Sequence, residues 1–278
     1  MTSVPAPSRA MDATSARRGG AWWRAAVKAC VPEPVLSCYR QRRRDAAIER
    51  LVEMYGRGAR PTLAERRLDD LVPAGEAVDV RMPMAAIDAA DGWTMPMAEL
   101  ATLAAICARA RPRRIFEIGT YTGLATLVMA MNAPADAELF TLDLAPATRQ
   151  DYARGLGLGD FPEYPVGAHF ASHPAGQRIH QLFGNARELD PAPFRASLDL
   201  VLIDANHTYD FVRVDSEHAL AMLCPGGLIV WDDYVWTERA PECAGVTRYV
   251  NELAVTRPVR RIAGTRLALL VDDRPPSR

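Results

Sequence analysis

The sequence predicts an α/β fold: a seven-stranded sheet, mostly parallel with its last strand antiparallel, helices on both faces and a helical N-terminal extension. Three observations carry this. From Met97 onward, short apolar runs alternate with segments of helical periodicity, the pattern of strands joined by crossover helices. One apolar run, in "RIFEIGTYTGLATLVMAM", ends in a Thr/Gly-rich turn that opens directly into a helical pattern. The last two runs, "PVRRIAG" and "RLALLVD", are joined too tightly for a crossover helix and must pair antiparallel.

The elements follow in order. Residues 1–20, rich in Ala, Ser, Pro and Arg, read as a disordered tail. Residues 21–95 read as a helical extension, in which "YRQRRRDAAIERLVEMYG" places apolar residues at helical spacing among basic ones. Such a helix packs on the domain or on a partner subunit, which makes a homodimer plausible; a membrane-surface or anionic-substrate role is the other reading. The domain proper runs over 96–278. Pro96 starts the helix "MAELATLAAICARA". "RRIFEIG" is a strand, "GLATLVMAMNA" a helix and "AELFTLDL" a strand ending in an acid. Ala145 to Gln177, with many Gly and Pro, reads as a loose segment. "RIHQLFG" and "LDLVLIDA" are strands, "FVRVDSEHALAMLC" a helix, "GGLIVWDD" a strand and "GVTRYVNELAV" a helix.

Composition narrows the class. A chain of 278 residues suits one α/β domain with extensions. A net charge of -1 does not suit a general nucleic-acid binder, and only the run Arg40 to Arg44 favours one. The five cysteines show neither CxxC nor zinc spacing, so reduced thiols and a cytoplasmic location are expected. No apolar run approaches the ~20 residues that span a bilayer. Arg24 and Lys28 interrupt the stretch after "ARRGG" that an export signal would need to be apolar.

The turn after "RRIFEIG" does not suit a dinucleotide. That fingerprint needs glycine where this chain has Tyr121 and Leu124, so backbone cannot approach a pyrophosphate. Glu117, Gly119 and Gly123 instead form an acid-x-Gly-x-x-x-Gly turn that suits a ligand without phosphate. The hydroxyls of Thr120 and Thr122 and the backbone of Tyr121 can meet an amino-acid end, and Glu117 can favour its ammonium. Asp143, followed by Leu144, ends the next strand, where an acid can accept from two ribose hydroxyls. Asn185 and Ala186 follow the third strand, where an amide can reach an adenine edge. A nucleoside bearing a zwitterionic amino acid fits: S-adenosyl-L-methionine.

"EIGTYTGLAT" resembles motif I of the class I S-adenosylmethionine-dependent methyltransferases, in the form found in the catechol and caffeoyl-CoA O-methyltransferases. "DLVLIDANHTYDFVRVDSEHALAMLCPGGLIVWDDY" resembles the matching block of bacterial relatives that include sugar O-methyltransferases. The resemblance spans roughly Pro96 to Asp272. It implies a Rossmann-like sheet and methyl transfer to a small-molecule acceptor, most readily a hydroxyl. Relatives usually carry Asp where this chain has Asn185, which implies weaker cofactor selectivity. The resemblance also implies a divalent cation at Asp204, Asp232 and Asp233, and three hard oxygen ligands suit Mg²⁺ or another such ion.

Other readings stay open at these positions. One of the Asp232–Asp233 pair can be a helix or turn cap. His207, three residues after Asp204, can be a general base, a metal ligand or a plain turn residue. Asp204 and His207 are the candidate catalytic pair, and Asp204 also borders the cofactor turn. Tyr209 can wall the pocket. Trp231, Tyr234 and Trp236, with Met95 and Met97, either pack in the core or form an apolar wall around a sulfonium. His180 and His218 read as structural. An N- or C-methyltransferase using His207, and a non-catalytic cofactor-binding protein, are the alternative functions.

Overall fold

The computed structural model describes residues 59–88, 93–155, 163–236 and 243–274, with the backbone alone for 152–155. The strands are β1 (Glu65–Arg66), β2 (Arg114–Ile118), β3 (Glu138–Asp143), β4 (Ile179–Phe183), β5 (Leu198–Ile203), β6 (Leu223–Trp231), β7 (Arg260–Ile262) and β8 (Ala268–Val271). They form one sheet in the order β1-β7-β8-β6-β5-β2-β3-β4. Strand β8 runs antiparallel to both of its neighbours, and the other pairings are parallel.

The sheet thus has eight strands among the described residues, where the sequence predicts seven. The addition is β1, a two-residue edge strand from the segment expected to be helical. Two residues are too few to show a period. The pairing comes from backbone demand: Arg261 N donates to Ala64 O at 3.2 Å and Ala263 N to Arg66 O at 2.9 Å. The same segment holds two short helices, α1 (Leu68–Leu71) and α2 (Met84–Asp88). The amphipathic pattern read before residue 59 lies outside the described residues.

The longer helices are α3 (Met97–Ala110), α4 (Leu124–Asn132), α5 (Pro146–Gly155), α7 (Tyr209–Met222) and α8 (Ala244–Leu253). Between α5 and β4 lie the one-turn α6 (Ala168–Ala171) and a 3-10 turn at Pro174–Arg178. The span from Ala145 to Gln177 is therefore more structured than its Gly and Pro content predicts. Helix α5, "PATRQDYARG", has too few apolar residues to show a stripe.

Alternation along the central strands splits the core into two layers. On one face Ile115, Leu200, Leu202 and Val230 pack against Leu100, Leu103 and Ile106 of α3 and Val128 of α4. On the other face Phe116, Ile118, Val201 and Ile229 pack against Val212 and Met222 of α7 and Val246 and Val250 of α8. Trp231 and Tyr234 are fully buried in this second layer, so packing is their role. Trp231 Nε1 donates to Ser216 Oγ of α7 at 2.9 Å. None of the helices among the described residues is long and apolar enough to cross a membrane.

Tyr234 also anchors the segment before β1. Its hydroxyl accepts from Thr62 N at 2.8 Å and Leu63 N at 3.0 Å, and it is bonded to Asn251. Tyr234→Phe leaves Leu63 N without this acceptor and Thr62 N with only Asn251 Oδ1 at 3.3 Å, at a cost of about 1–2 kcal/mol. Urea denaturation is expected to show a lower midpoint with an unchanged slope; an unshifted midpoint would refute the anchoring role.

Candidate active site

The turn between β2 and α4 is built on two glycines that no other residue could replace without strain. Gly119 has φ +101°, and a Cβ there would lie 1.9 Å from the carbonyl oxygen of Asp204. The turn backbone therefore rests directly on the end of β5. Gly123 has φ +81°, and its Cβ would fall 2.5 Å from the Phe170 ring of α6. Between them Tyr121 takes φ +51°, an uncommon value for a residue with a side chain. What holds it there is visible: Tyr121 N donates to Asp143 Oδ2 at 2.7 Å, and Gly123 N donates to Thr120 O at 2.8 Å.

A buried polar network supports the turn. Glu117 shares the face of β2 that carries Ile115, and so meets α4 rather than solvent. The hydroxyls of Thr126 and Thr141 both donate to its Oε2. Thr120 Oγ1 lies 2.7 Å from Thr141 Oγ1, and Gln181 Nε2 donates to Thr120 Oγ1 at 3.1 Å. Burial lifts the Glu117 carboxyl to about 8; the two threonine hydroxyls act against this, and the charges of Asp204 and Asp143 add to it. Glu117 is thus mainly protonated near neutral pH and is placed against threonines. Thr122 Oγ1 and Gln181 Oε1 are buried without a hydrogen-bond partner, an arrangement that invites a polar ligand.

Asp143 lies beside the turn, at the end of β3. Leu144 N donates to its Oδ1 at 2.6 Å, and the Tyr164 hydroxyl sits 3.4 Å from each carboxylate oxygen. Burial raises its pKa, while the two backbone donors oppose that rise. The Tyr164 ring meets that of Tyr121 at a tilt of 56°, centroids 4.3 Å apart, and lies under the Arg149 guanidinium at 3.7 Å. The loop that carries Tyr164 is strapped to the turn: Gly167 N donates to Tyr121 O at 3.0 Å and His169 N to Thr122 O at 2.9 Å. Farther along the strand ends, Asn185 caps a 3-10 turn that begins at Ala186. Its Oδ1 accepts from Arg187 N and its Nδ2 donates to Glu188 Oε1, both at 3.1 Å.

The acids after β5 and β6 converge. Ile203 pairs with Trp231, so Asp204 and Asp232 leave neighbouring strand ends side by side, and Asp233 follows at φ +57°. One carboxylate oxygen from each of Asp204, Asp232 and Asp233 lies within 4.8 Å of the others. His207 is drawn in as well: its Nε2 is 3.1 Å from Asp233 Oδ2. Burial disfavours the imidazolium, but the Asp233 hydrogen bond and the surrounding carboxylates outweigh this and raise it to about 9. Burial and the neighbouring acids push Asp204 and Asp232 upward. Asp233 is held down, because its bonds to His207 and the charge of Arg266 exceed its desolvation. Tyr209, expected as a wall, donates its hydroxyl to Glu252 of α8.

Three contributors carry no sequence signal. Arg266, in the β7–β8 hairpin, places Nη1 2.6 Å from Asp233 Oδ1 and Nη2 3.9 Å from Asp232 Oδ2. Glu99 of α3, only 5% exposed, accepts from Arg266 N at 3.1 Å. Cys243 brings its thiol to within 4.8 Å of the His207 and Asp233 ligand atoms. All three sit outside the recognisable blocks, and only the fold unites them with the acids.

Residues 116–234 match the family described as Methyltransferase domain. The chain is 28% identical over 143 residues to caffeoyl-CoA O-methyltransferase 2 of Zea mays, covering 50% of this chain and 49% of that one. It is 32% identical over 149 residues to an uncharacterised protein of Sinorhizobium fredii, covering 53% of this chain and 16% of that one. The chain thus spans about half the length, or less, of these curated relatives. Among solved structures it is similar to the O-methyltransferase TomG of Streptomyces achromogenes, at 21% identity and a TM-score of 0.49, covering 74% of this chain and 96% of that one. The family match and the plant relative bear out the resemblance to class I S-adenosylmethionine-dependent methyltransferases.

The network around Glu117 has a measurable signature. Its carboxyl binds a proton more tightly in the folded chain, at about 8, than at the ordinary value of 4.5. The folded state therefore holds more protons between these values, and this group's contribution to stability falls as pH rises through that window. Glu117→Gln removes that contribution. The melting temperature of the variant relative to the wild type is expected to rise steadily from pH 5 to pH 8; a difference independent of pH would refute the protonated assignment.

Proposed function

We propose that this chain is an S-adenosylmethionine-dependent methyltransferase that methylates a hydroxyl group of a small molecule. The observation that carries the reading is the contact between Gly119 and the Asp204 backbone, which sets the cofactor turn directly against the Asp204–His207 cluster. A ligand resting on that turn has its reactive end beside the acids.

The residues present fit the cofactor. The unpartnered Thr122 hydroxyl, the backbone of Gly119 through Gly123 and the Asp143 carboxylate would hold it, with Asn185 and Ala186 at the adenine end. S-adenosylmethionine supplies an electrophilic methyl group on a positively charged sulfur. The chain's own work is alignment and proton removal. His207 is anchored through Nε2 to Asp233; raised to about 9, it takes the acceptor's hydroxyl proton at Nδ1 only in its neutral form, so kcat should climb as pH rises toward 9. Asp204 borders both the turn and the cluster and favours positive charge there.

The carboxylates also fit a divalent metal. Asp204, Asp232 and Asp233 would hold it, and Asp232 Oδ1 is buried with no partner of its own. Such an ion would lower the pKa of an acceptor hydroxyl.

Formation of S-adenosylhomocysteine with a panel of vicinal diols, catechols and sugars tests the reading; no turnover with any hydroxylated acceptor would sink it. His207→Gln is expected to lower kcat by roughly 10²- to 10⁴-fold, the usual range for a lost acid–base group. Calorimetry should show S-adenosylhomocysteine binding unchanged in that variant. A kcat within twofold of wild type would remove His207 from the chemistry.

A further inference from the structure

We propose that Arg266 is a tethered cation that competes with a divalent metal for the Asp232–Asp233 carboxylates, so that metal binds only as the guanidinium leaves Asp233. This rests on the metal reading above.

The geometry sets up the competition. Arg266 Nη1 is 2.6 Å from Asp233 Oδ1, and the same guanidinium reaches toward Asp232 Oδ2 at 3.9 Å. Both Asp233 oxygens face a cation, His207 Nε2 lying 3.1 Å from the other one, but the Arg266 contact is one of charge and leaves Asp233 Oδ1 without a hydrogen bond. A metal that takes an oxygen from each of the three aspartates must therefore displace a cation already in contact. Two cations cannot share one carboxylate oxygen at these distances without strong repulsion.

Charge explains why the seat can accept a second ion. Asp204, Asp232, Asp233 and Glu99 face one permanently charged residue, Arg266, and one histidine. Asp232 is 5% exposed, and its Oδ1 is buried without a partner, an independent sign of a missing ligand.

The hairpin explains how the arginine can yield. Its backbone is fixed: Arg266 O accepts from Tyr234 N at 2.8 Å, and Arg266 N donates to Glu99 Oε1 at 3.1 Å. The side chain is one-third exposed, so the guanidinium has a route to water. Its Nε lies 3.5 Å from Glu99 Oε1, which can retain it after it releases Asp233. The arginine is a positioning residue: it holds the carboxylates together when metal is absent and sets the affinity when metal arrives.

Calorimetric titration of Mg²⁺, then Mn²⁺, into the full chain without cofactor tests this, with Asp232→Ala as the control. Arg266→Ala is expected to bind metal at least ~10-fold more tightly than wild type, from the removal of a unit charge in contact with the seat. Arg266→Lys, which keeps the charge, is expected to stay near wild type and guards against misfolding of the smaller variant. A purely structural arginine would not show the third readout. In Arg266→Ala, free guanidinium ion at tens of millimolar should weaken metal binding more than sodium at equal ionic strength, and it should have no such effect on wild type. Metal binding that Asp232→Ala abolishes but Arg266→Ala leaves unchanged or weakens would overturn the competition and keep the metal site. Absence of binding in every protein would overturn both.

Discussion

The close approach of Gly119 to Asp204 is the constraint on which the site depends. It brings the end of β2 and the end of β5 into backbone contact at the point where each strand gives way to functional residues. The glycine turn and Asp143 lie on one side of that contact, His207, Asp232 and Asp233 on the other, and Asp204 at the contact itself. The fold does not need the approach for its core, which is complete in the two apolar layers. The approach instead brings the glycine turn and the acid cluster into backbone contact. The positive φ values of Gly119, Tyr121, Gly123 and Asp233 all fall within these strand-end connections.

The two neighbourhoods are electrostatically unlike. Beneath the turn, burial favours an uncharged Glu117 against the pull of two threonine hydroxyls that donate to it. At β5 and β6 the acids outnumber the cations: burial and then the neighbouring carboxylates raise Asp204 and Asp232, and the same carboxylates hold the proton on His207. An excess of buried negative charge is costly unless something positive completes it. Arg266 and His207 supply part of that positive charge.

Much of this was legible in the sequence. The glycine turn, Asp143 and the acids after the fourth and fifth predicted strands announce themselves by position, because strand ends in a parallel sheet point to one edge. The helix predicted over "MAELATLAAICARA" is α3 without adjustment, since its apolar stripe and Pro96 agree. The terminal hairpin was legible from spacing alone. Other features were hidden for physical reasons. Strand β1 is too short to carry a period. Helix α5 has no apolar stripe to announce it. The setting of Glu117 between Thr126 of α4 and Thr141 of β3 is not legible in either segment alone. Arg266 and Glu99 act at the site through long-range packing that leaves no trace in local pattern.

The placement of Arg266 has a consequence for how the site comes into being. Asp232 and Asp233 precede it by 34 and 33 residues in the chain, and it belongs to the hairpin that inserts β8 beside β6. During synthesis at roughly 5–20 residues per second, the acids therefore exist for seconds before their permanent counter-charge emerges. Over that interval β6 has an open edge and an uncompensated cluster at its tip. Docking of β8 closes the edge and delivers the guanidinium in the same event. The last strand is thus both the seal of the sheet and the electrostatic lock of the site, and a nascent chain that lacks it has neither.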